Sequence, residues 1–437
     1  MRVEVSEQPA NRTSTSFEDV YTLHYGKALP KTARTSGGAI QVFGSSGVVG
    51  SHTERLVVGP AIIVGRKGSA GAVFYAHEDF WPIDTTYFVK PPSGIELRFA
   101  YYHLIALQLS RLEKSTAIPG LSRDDAYALQ IAIPPRNEQR RIVAKIEGLF
   151  FELDKGVENL TTAREKLKVY REAVLQRCFL SVATREYPLS NTALPPFWRW
   201  EKLSVLATLI TKGASPKWQG INYVQDAKET LFVTSENVRS NYMDLEKPKF
   251  VQNVFNEGQR RSVLKSGDLL FNIVGASIGR AAIFDDDRRA NINQAVALVR
   301  IEKRAIAEYA TYFLNSALGQ SSYMGKRVEV ARANLSLKDV GDIEVPLPPP
   351  SQIQSVVDFI KASLSRIDVL KQELYDEERR ADALRQAILK KAFSGQLVAQ
   401  DSRDEPASAL LERICAERDE SGTTKRRNKK NTKMEAA

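Results

Sequence analysis

The sequence predicts an α+β fold in which two β-rich modules alternate with two long helices. The helices are expected to pair as an antiparallel coiled coil, the whole forming a pseudo-two-fold internal repeat. Three observations carry this. The stretch from Leu121 to Phe179 lies over the stretch from Leu335 to Phe393 without a gap. Within both, apolar residues fall on one narrow seam of about 3.5-residue period. Upstream of each lies a region of short apolar runs broken by glycine-rich turns.

The duplication is read from matched pairs at a constant offset of 214. Leu121-Ser122 falls on Leu335-Ser336, Asp125 on Asp339, Pro134-Pro135 on Pro348-Pro349, Asp154 on Asp368, Arg171 on Arg385 and Phe179 on Phe393. Two unrelated helices can share an apolar rhythm; they do not also share Leu-Ser and Pro-Pro at the same distance upstream. A fainter echo relates Gly59 to Gly267 and Gly71 to Gly279, each 208 apart. The upstream modules have therefore changed length while the helices have not. The expected boundaries are 1–133 and 188–346 for the β-rich modules, 134–187 and 347–400 for the helices, and 401–437 for a basic tail expected to be disordered.

In the first module the runs Ile40–Phe43, Ala61–Val64 and Tyr87–Val89 read as strands, with a helical piece from Glu96 to Leu112. Pro134-Pro135 then mark entry to the first long helix, with Asn137 as a simple N-cap. Its seam runs through Ile142, Ile146, Leu149, Leu153, Val157, Leu160, Leu167, Tyr170 and Val174. Trp198 and Trp200 open the second module, whose strands are Leu231–Val233, Asp268–Phe271 and Val296–Val299, followed by a helical piece from Ala305 to Ser316. The second long helix enters at Pro348-Pro349-Pro350, with Ser351 and Gln354 as a capping box, and stops at Ser394-Gly395. Its seam is Val356, Ile360, Leu364, Ile367, Leu370, Leu374, Ala381, Leu384 and Ile388. Roughly 40 residues at 1.5 Å each give rods of about 60 Å, and packing one on the other hides both seams. Gly156 interrupts the first at a cost of about 1 kcal/mol relative to Ala.

The formal net charge is +10 over 437 residues, but six Lys/Arg against Glu435 in 421–437 account for +5 of it. Net charge alone therefore does not establish a polyanionic partner. Cys178 and Cys415 suggest no disulfide framework, and the polar start carries no apolar segment of a signal peptide. No apolar run approaches the ~20 residues needed to cross a bilayer, so a cytoplasmic protein without membrane association is expected.

The sequence carries no recognisable catalytic motif. His24, His52, His77 and His103 are scattered, none beside Cys or carboxylate at metal-ligand spacing. Gly26-Lys27 and Gly325-Lys326 lack the flanking residues of a phosphate-binding loop. The glycine-rich run Gly65–Gly71 lies between strands and opens no helix, unlike a dinucleotide or methyl-donor fingerprint. Leu194-Pro195-Pro196-Phe197 imitates the Asn-Pro-Pro-Phe of adenine methyltransferases, but Leu194 stands where an amide must grip the target. From Pro82-Ile83-Asp84 to Lys90 no second carboxylate completes a nuclease site. No catalytic residue and no metal site are assigned.

Gly44–Gly50, Gly65–Ser69, Trp81–Thr86, Glu138–Ile146 and Leu389–Gly395 follow in an order that resembles the specificity subunits of Type I restriction–modification systems. The resemblance runs from about Phe17 to Leu397; it departs at Pro350–Gln354, which lacks the Glu-Gln-Arg of the first helix. It implies that each β-rich module is a target recognition domain reading one half of a split double-stranded DNA site. It implies, too, that the paired helices act as a ruler and as the dock for two methyltransferase subunits, with restriction motor–nuclease subunits completing a bacterial or archaeal complex. This chain then binds no cofactor itself; S-adenosylmethionine, ATP and Mg belong to the partners.

Base discrimination needs side chains that match groove edges. Candidates are Ser45, Ser46, Arg66, Lys67 and Thr85 in the first module, and Thr234, Ser235, Asn237, Ser277, Arg280, Asn293 and Gln294 in the second. Each is alternatively a turn residue or a phosphate contact, since half or more of protein–DNA hydrogen bonds go to the backbone. The competing reading is a coiled-coil adaptor that binds only protein. It explains the helices but not the duplicated modules with their polar loops.

Overall fold

The computed structural model describes residues 11–112, 120–180, 197–324 and 334–418. Leu194–Pro196, Gly325-Lys326 and the basic stretch 421–437 lie outside the described residues. The chain divides into two compact units, Met1–Leu160 with Asp376–Ala437, and Thr161–Tyr375. Each long helix (Arg136–Leu180 and Pro350–Phe393) contributes a segment to both.

The first unit contains β1 (Thr13–Ser16), β2 (His24–Tyr25), β3 (Ile40–Gly44), β4 (Gly47–His52), β5 (Ala61–Gly65), β6 (Val73–Ala76), β7 (Phe80–Pro82), β8 (Thr86–Val89) and β9 (Gln130–Ile133). Among the described residues they form sheets ordered β1-β9, β2-β8-β5-β6 and β4-β3-β7. The second contains β10 (Arg199–Lys202), β11 (Leu209–Lys212), β12 (Tyr223–Val224), β13 (Thr230–Val233), β14 (Phe250–Val251), β15 (Leu269–Asn272), β16 (Ala281–Ile283), β17 (Ala290–Ile292), β18 (Val296–Arg300) and β19 (Glu344–Leu347). Its sheets are β10-β19, β11-β18-β15-β16 and β12-β14-β13-β17. The order repeats, and the parallel pairs sit at equivalent places, β3 with β7 and β13 with β17. A helix flanks each module, Leu97–Ala106 in one and Arg304–Asn315 in the other, close to the expected positions.

The long helices run antiparallel within each unit. In the first, Arg385 pairs with Asp154 and stacks 5.5 Å from the Phe150 ring, while Ile142 and Ile146 share a core with Leu389 and Ala392. In the second, Arg171 meets Asp368 at 3.5 Å and Arg164 lies over Tyr375, while Leu175 and Phe179 share a core with Ile353, Val357 and Ile360. Of the seam, Ile142, Ile146, Ile360 and Ile367 are buried and Leu149, Leu153, Leu160, Val356 and Leu374 half-buried. Tyr170, Leu370 and Leu384 stand exposed instead. The reason is that Ile353, Val357, Ile360, Leu364 and Ile367 pack on the module as well as on the partner helix, which a strict 3.5-residue seam does not anticipate.

The caps also differ in detail. The helices begin at Arg136 and Pro350, so Asn137 and Ser351 lie inside the first turn rather than capping it, and Pro350 takes the first helical position, where its missing N–H costs nothing. The stop is as expected. Gly395 adopts φ 85°, and the Gln396 N–H donates to the Lys391 carbonyl at 2.8 Å.

A buried ion pair closes the first unit. Arg12 donates to Glu138 Oε1 at 2.6 Å and to the carbonyls of Ala392 and Phe393 at 3.0 and 2.8 Å, so one guanidinium holds the start of one helix and satisfies the open end of the other. The stretch 401–418 corrects the expectation of a disordered tail. It carries a helix over 407–418 whose Leu410, Leu411 and Ile414 enter the core, and Asp404 pairs with Arg141 at 2.6 Å. No described helix is long and apolar enough to cross a membrane.

His103 lies in this core, stacked on Phe393 at 4.8 Å with the Tyr21 hydroxyl 3.0 Å from Nδ1. Burial, with a smaller contribution from the Arg12 charge, pushes the imidazole pKa down to about 3. The folded state keeps it neutral while the unfolded chain takes up a proton below about pH 6.5. Stability is therefore fully present above pH 6.5 and falls as pH drops towards 3. His103→Gln should flatten the denaturation midpoint of the first unit between about pH 6.5 and 5; an unchanged slope would refute the assignment. A Cβ on Gly156 meets no atom within 4 Å. Gly156→Ala should accordingly raise stability by about 0.5–1 kcal/mol in denaturant titrations.

Candidate nucleic-acid interface

The repeat extends to single hydrogen bonds around the loops that carry the candidates. Ile83 N–H donates to Phe43 O at 2.9 Å, and Asn293 N–H to Val233 O at 3.0 Å. Arg66 N–H donates to Thr85 O and Ile273 N–H to Ala295 O, both at 2.9 Å. Leu121 N–H reaches Arg66 O at 2.8 Å, as Leu335 N–H reaches Ile273 O at 2.9 Å. Gly71 N–H reaches Gly65 O at 2.8 Å and Gly279 N–H reaches Asn272 O at 3.0 Å, both glycines with positive φ. Such bonds are indifferent to side chains, so the frame persists while the loops vary.

In the first unit Ser45 and Ser46 form the turn between β3 and β4, Arg66 and Lys67 follow β5, and Thr85 precedes β8. The frame gathers them. Thr85 O accepts from the N–H groups of both Arg66 and Lys67, at 2.9 and 3.2 Å, and a Cβ on Gly68 would lie 3.3 Å from Ser45 Oγ. Ser46 and Lys67 are exposed; Ser45, Arg66 and Thr85 are half-buried. Arg66 is braced, with Nη1 donating to Asp84 O at 3.0 Å and its guanidinium 4.9 Å from the Tyr25 ring.

In the second unit Thr234, Ser235 and Asn237 follow β13, Asn293 and Gln294 follow β17, and Ser277 and Arg280 lie between β15 and β16. Asn272, buried at the end of β15, ties two of these loops. Its Nδ2 donates to Ser235 O at 2.9 Å, and its N–H to Arg280 O at 2.9 Å. Three candidates spend their polar atoms inside the protein. Asn237 Oδ1 accepts from the Thr234 N–H and hydroxyl at 2.8 and 3.1 Å, and Nδ2 donates to Asp244 O at 2.9 Å. Asn293 Oδ1 accepts from the Ala295 N–H at 3.1 Å. Gln294 is exposed, and Ser277 and Arg280 are half-buried.

The sequence reading missed Tyr25, Arg123, Lys212 and Asn272. The first three lie on an edge strand or a short helix where nothing local marks them; Asn272 was legible only as a polar residue ending an apolar strand. Among the described residues no group of three or more His, Cys, Asp or Glu could hold a metal ion.

Residues 12–162 match a family model described as the Type I restriction modification DNA specificity domain. The chain is similar to the specificity subunit of the Type I restriction enzyme EcoBI of Escherichia coli, 28% identical over 395 residues covering 84% of this chain and 82% of that one. It is 26% identical over 353 residues to that of EcoKI from Escherichia coli strain K12, covering 77% and 74%. A solved chain described under complex assembly and conformational transition of the type I R-M system shares the fold with TM-score 0.68 at 18% identity, covering 90% of this chain and 100% of that one. The HsdS subunit from Thermoanaerobacter tengcongensis does so with TM-score 0.52 at 19% identity, covering 91% and 100%.

Asn237→Ala should destabilise the second unit by about 1–3 kcal/mol, because it strips partners from half-buried groups. Gln294→Ala should stay within about 0.5 kcal/mol of the parent. Equal effects in thermal melts would contradict this division between a bracing side chain and an exposed one.

Proposed function

We propose that this chain, a member of the Type I restriction–modification specificity subunits, reads a double-stranded DNA target in two halves, one per unit. The observation that carries the reading is the repeated frame, with matched backbone bonds presenting unlike residues at matched loops. Ser45 in the first unit answers to Ser235 in the second, but Arg66 answers to Ile273 and Thr85 to Ala295. Two half-sites of different sequence follow from such differences at base-facing positions, Thr85 against Ala295 among them. In the first unit Ser45, Ser46, Lys67 and Thr85 face the bases, and in the second Ser235, Ser277, Arg280 and Gln294. Thr234, Asn237 and Asn293 hold the loops in shape.

The chain itself performs no chemistry on this reading. Two methyltransferase subunits dock on the paired helices and methylate adenine from S-adenosylmethionine, and ATP-driven, Mg-dependent restriction subunits complete the complex. The helices fix the distance between half-sites, as a rigid spacer between two readers does.

Co-expression with the methyltransferase, followed by mapping of methylated adenines, tests this. Replacing residues 1–133 by another such module that keeps an Arg opposite Glu138 should change one half-site only. Removing one heptad from each helix shortens the spacer by about 10 Å, which should move the half-sites closer by a few base pairs without altering either. An unchanged spacing would refute the ruler, and absence of any bipartite methylated motif would refute the reading.

A further inference from the structure

We propose that Tyr25, Arg66 and Arg123 form a clamp for the DNA sugar–phosphate backbone beside the reading loops of the first unit, supplying affinity without sequence discrimination. The inference rests on the DNA-recognition reading above. Tyr25 ends β2 and is 50% exposed. Its ring has the Arg66 guanidinium 4.9 Å away and that of Arg123 5.3 Å away. Two positive charges thus lie over one aromatic ring, and each is also near a second ring, Tyr87 at 5.9 Å for Arg66 and Tyr127 at 5.7 Å for Arg123.

Neither guanidinium forms an ion pair among the described residues. That sets them apart from Arg98, Arg141, Arg300 and Arg304, each matched by a carboxylate. Rings orient a guanidinium without neutralising it, so the pair stays repulsive until an anion arrives. The cluster is also tied to the reading loop. Leu121 N–H donates to Arg66 O, which fixes the start of the 123–127 helix against the residues that follow β5.

A phosphate suits this geometry better than a base. Arg66 already gives Nη1 to Asp84 O and lies over the Tyr25 ring, whereas reading guanine needs a guanidinium fork extended into the groove. A phosphate oxygen accepts from whichever N–H groups remain, and the Tyr25 hydroxyl can donate alongside. The second unit keeps charge at the same place by other means. Tyr25 pairs with Tyr87, which pairs with Val64. In the equivalent register Lys212 pairs with Ala297, which pairs with Phe271. Lys212 is exposed, with no ion pair among the described residues. A contact that ignores sequence can persist where the reading loops have diverged.

The test is equilibrium binding of the full chain, alone and with its methyltransferase subunits, to the mapped target duplex and to a random-sequence duplex between about 50 and 200 mM salt. Arg123→Gln and Arg66→Gln should each weaken binding to both duplexes by the same factor. Each should also make the plot of log affinity against log salt less steep by about one. Arg123→Lys should keep the slope, and Tyr25→Ala should lower affinity without changing it. A parental slope in both Gln variants, with the parent protein binding normally, sinks the clamp and leaves the DNA reading intact. A changed ratio of target to random affinity at constant slope also sinks it, by making these residues base readers. Parent protein that binds neither duplex in either form removes the DNA reading and the clamp together.

Discussion

Each unit has a core that the chain cannot complete without returning to it from far away in sequence. In the first, Ile142 and Ile146 share a core with Leu389 and Ala392, and in the second Leu175 and Phe179 meet Ile353, Val357 and Ile360. The antiparallel pairing of the two long helices is the arrangement that supplies both. The Arg12–Glu138 pair shows how closely the closure is specified. Two charges at 1% exposure are costly to desolvate, and the arrangement holds because the guanidinium also satisfies two helix-end carbonyls. Among the described residues the buried Glu138 Oε2 has no hydrogen-bond partner, a cost that the other bonds of the pair offset.

On that base the frame and the loops obey different constraints. Gly65 and Asn272 make the same pair of backbone bonds, yet one has no room for a side chain and the other depends on having one. A Cβ on Gly65 would lie 2.1 Å from Ser69 O, whereas the Asn272 amide fills buried space and holds the carbonyls of Ser235 and Val238. Backbone bonds kept the two units alike. Side-chain volume at a few loop positions let them present different surfaces.

The duplication was legible because 59 aligned positions keep one offset, and helices whose length is fixed by pairing cannot accept insertions. The strands were legible as short apolar runs, since β5 and β15 are buried on both faces. The helix over 407–418 was not seen, although Leu410, Leu411 and Ile414 have helical spacing, because the basic run after it dominated the composition of the tail. Nor could the seam show which positions face a module rather than the other helix; that depends on contacts hundreds of residues apart. The candidate loops were found through glycine and polar residues between strands. Which of their amides are spent internally, as in Asn237, depends on Asp244 and Thr234 folding back, and sequence spacing does not specify that.

The electrostatics follow the same logic of local placement over composition. A net charge of +10 says little when half of it sits in the final 17 residues. Elsewhere most of the arginines that matter to the fold are matched, Arg300 with Asp268 at 2.7 Å and Arg304 with Asp285 at 3.0 Å among them. Matched charges contribute little field beyond a Debye length. Arg66 and Arg123 in one unit, and Lys212 in the other, are left without carboxylates among the described residues, beside loops that the frame has already gathered. A polyanion approaching either unit meets uncompensated charge there, beside the residues that differ between the two. On the proposed reading, attraction and discrimination are held by separate side chains on a common backbone, so the reading loops can diverge without loss of the grip.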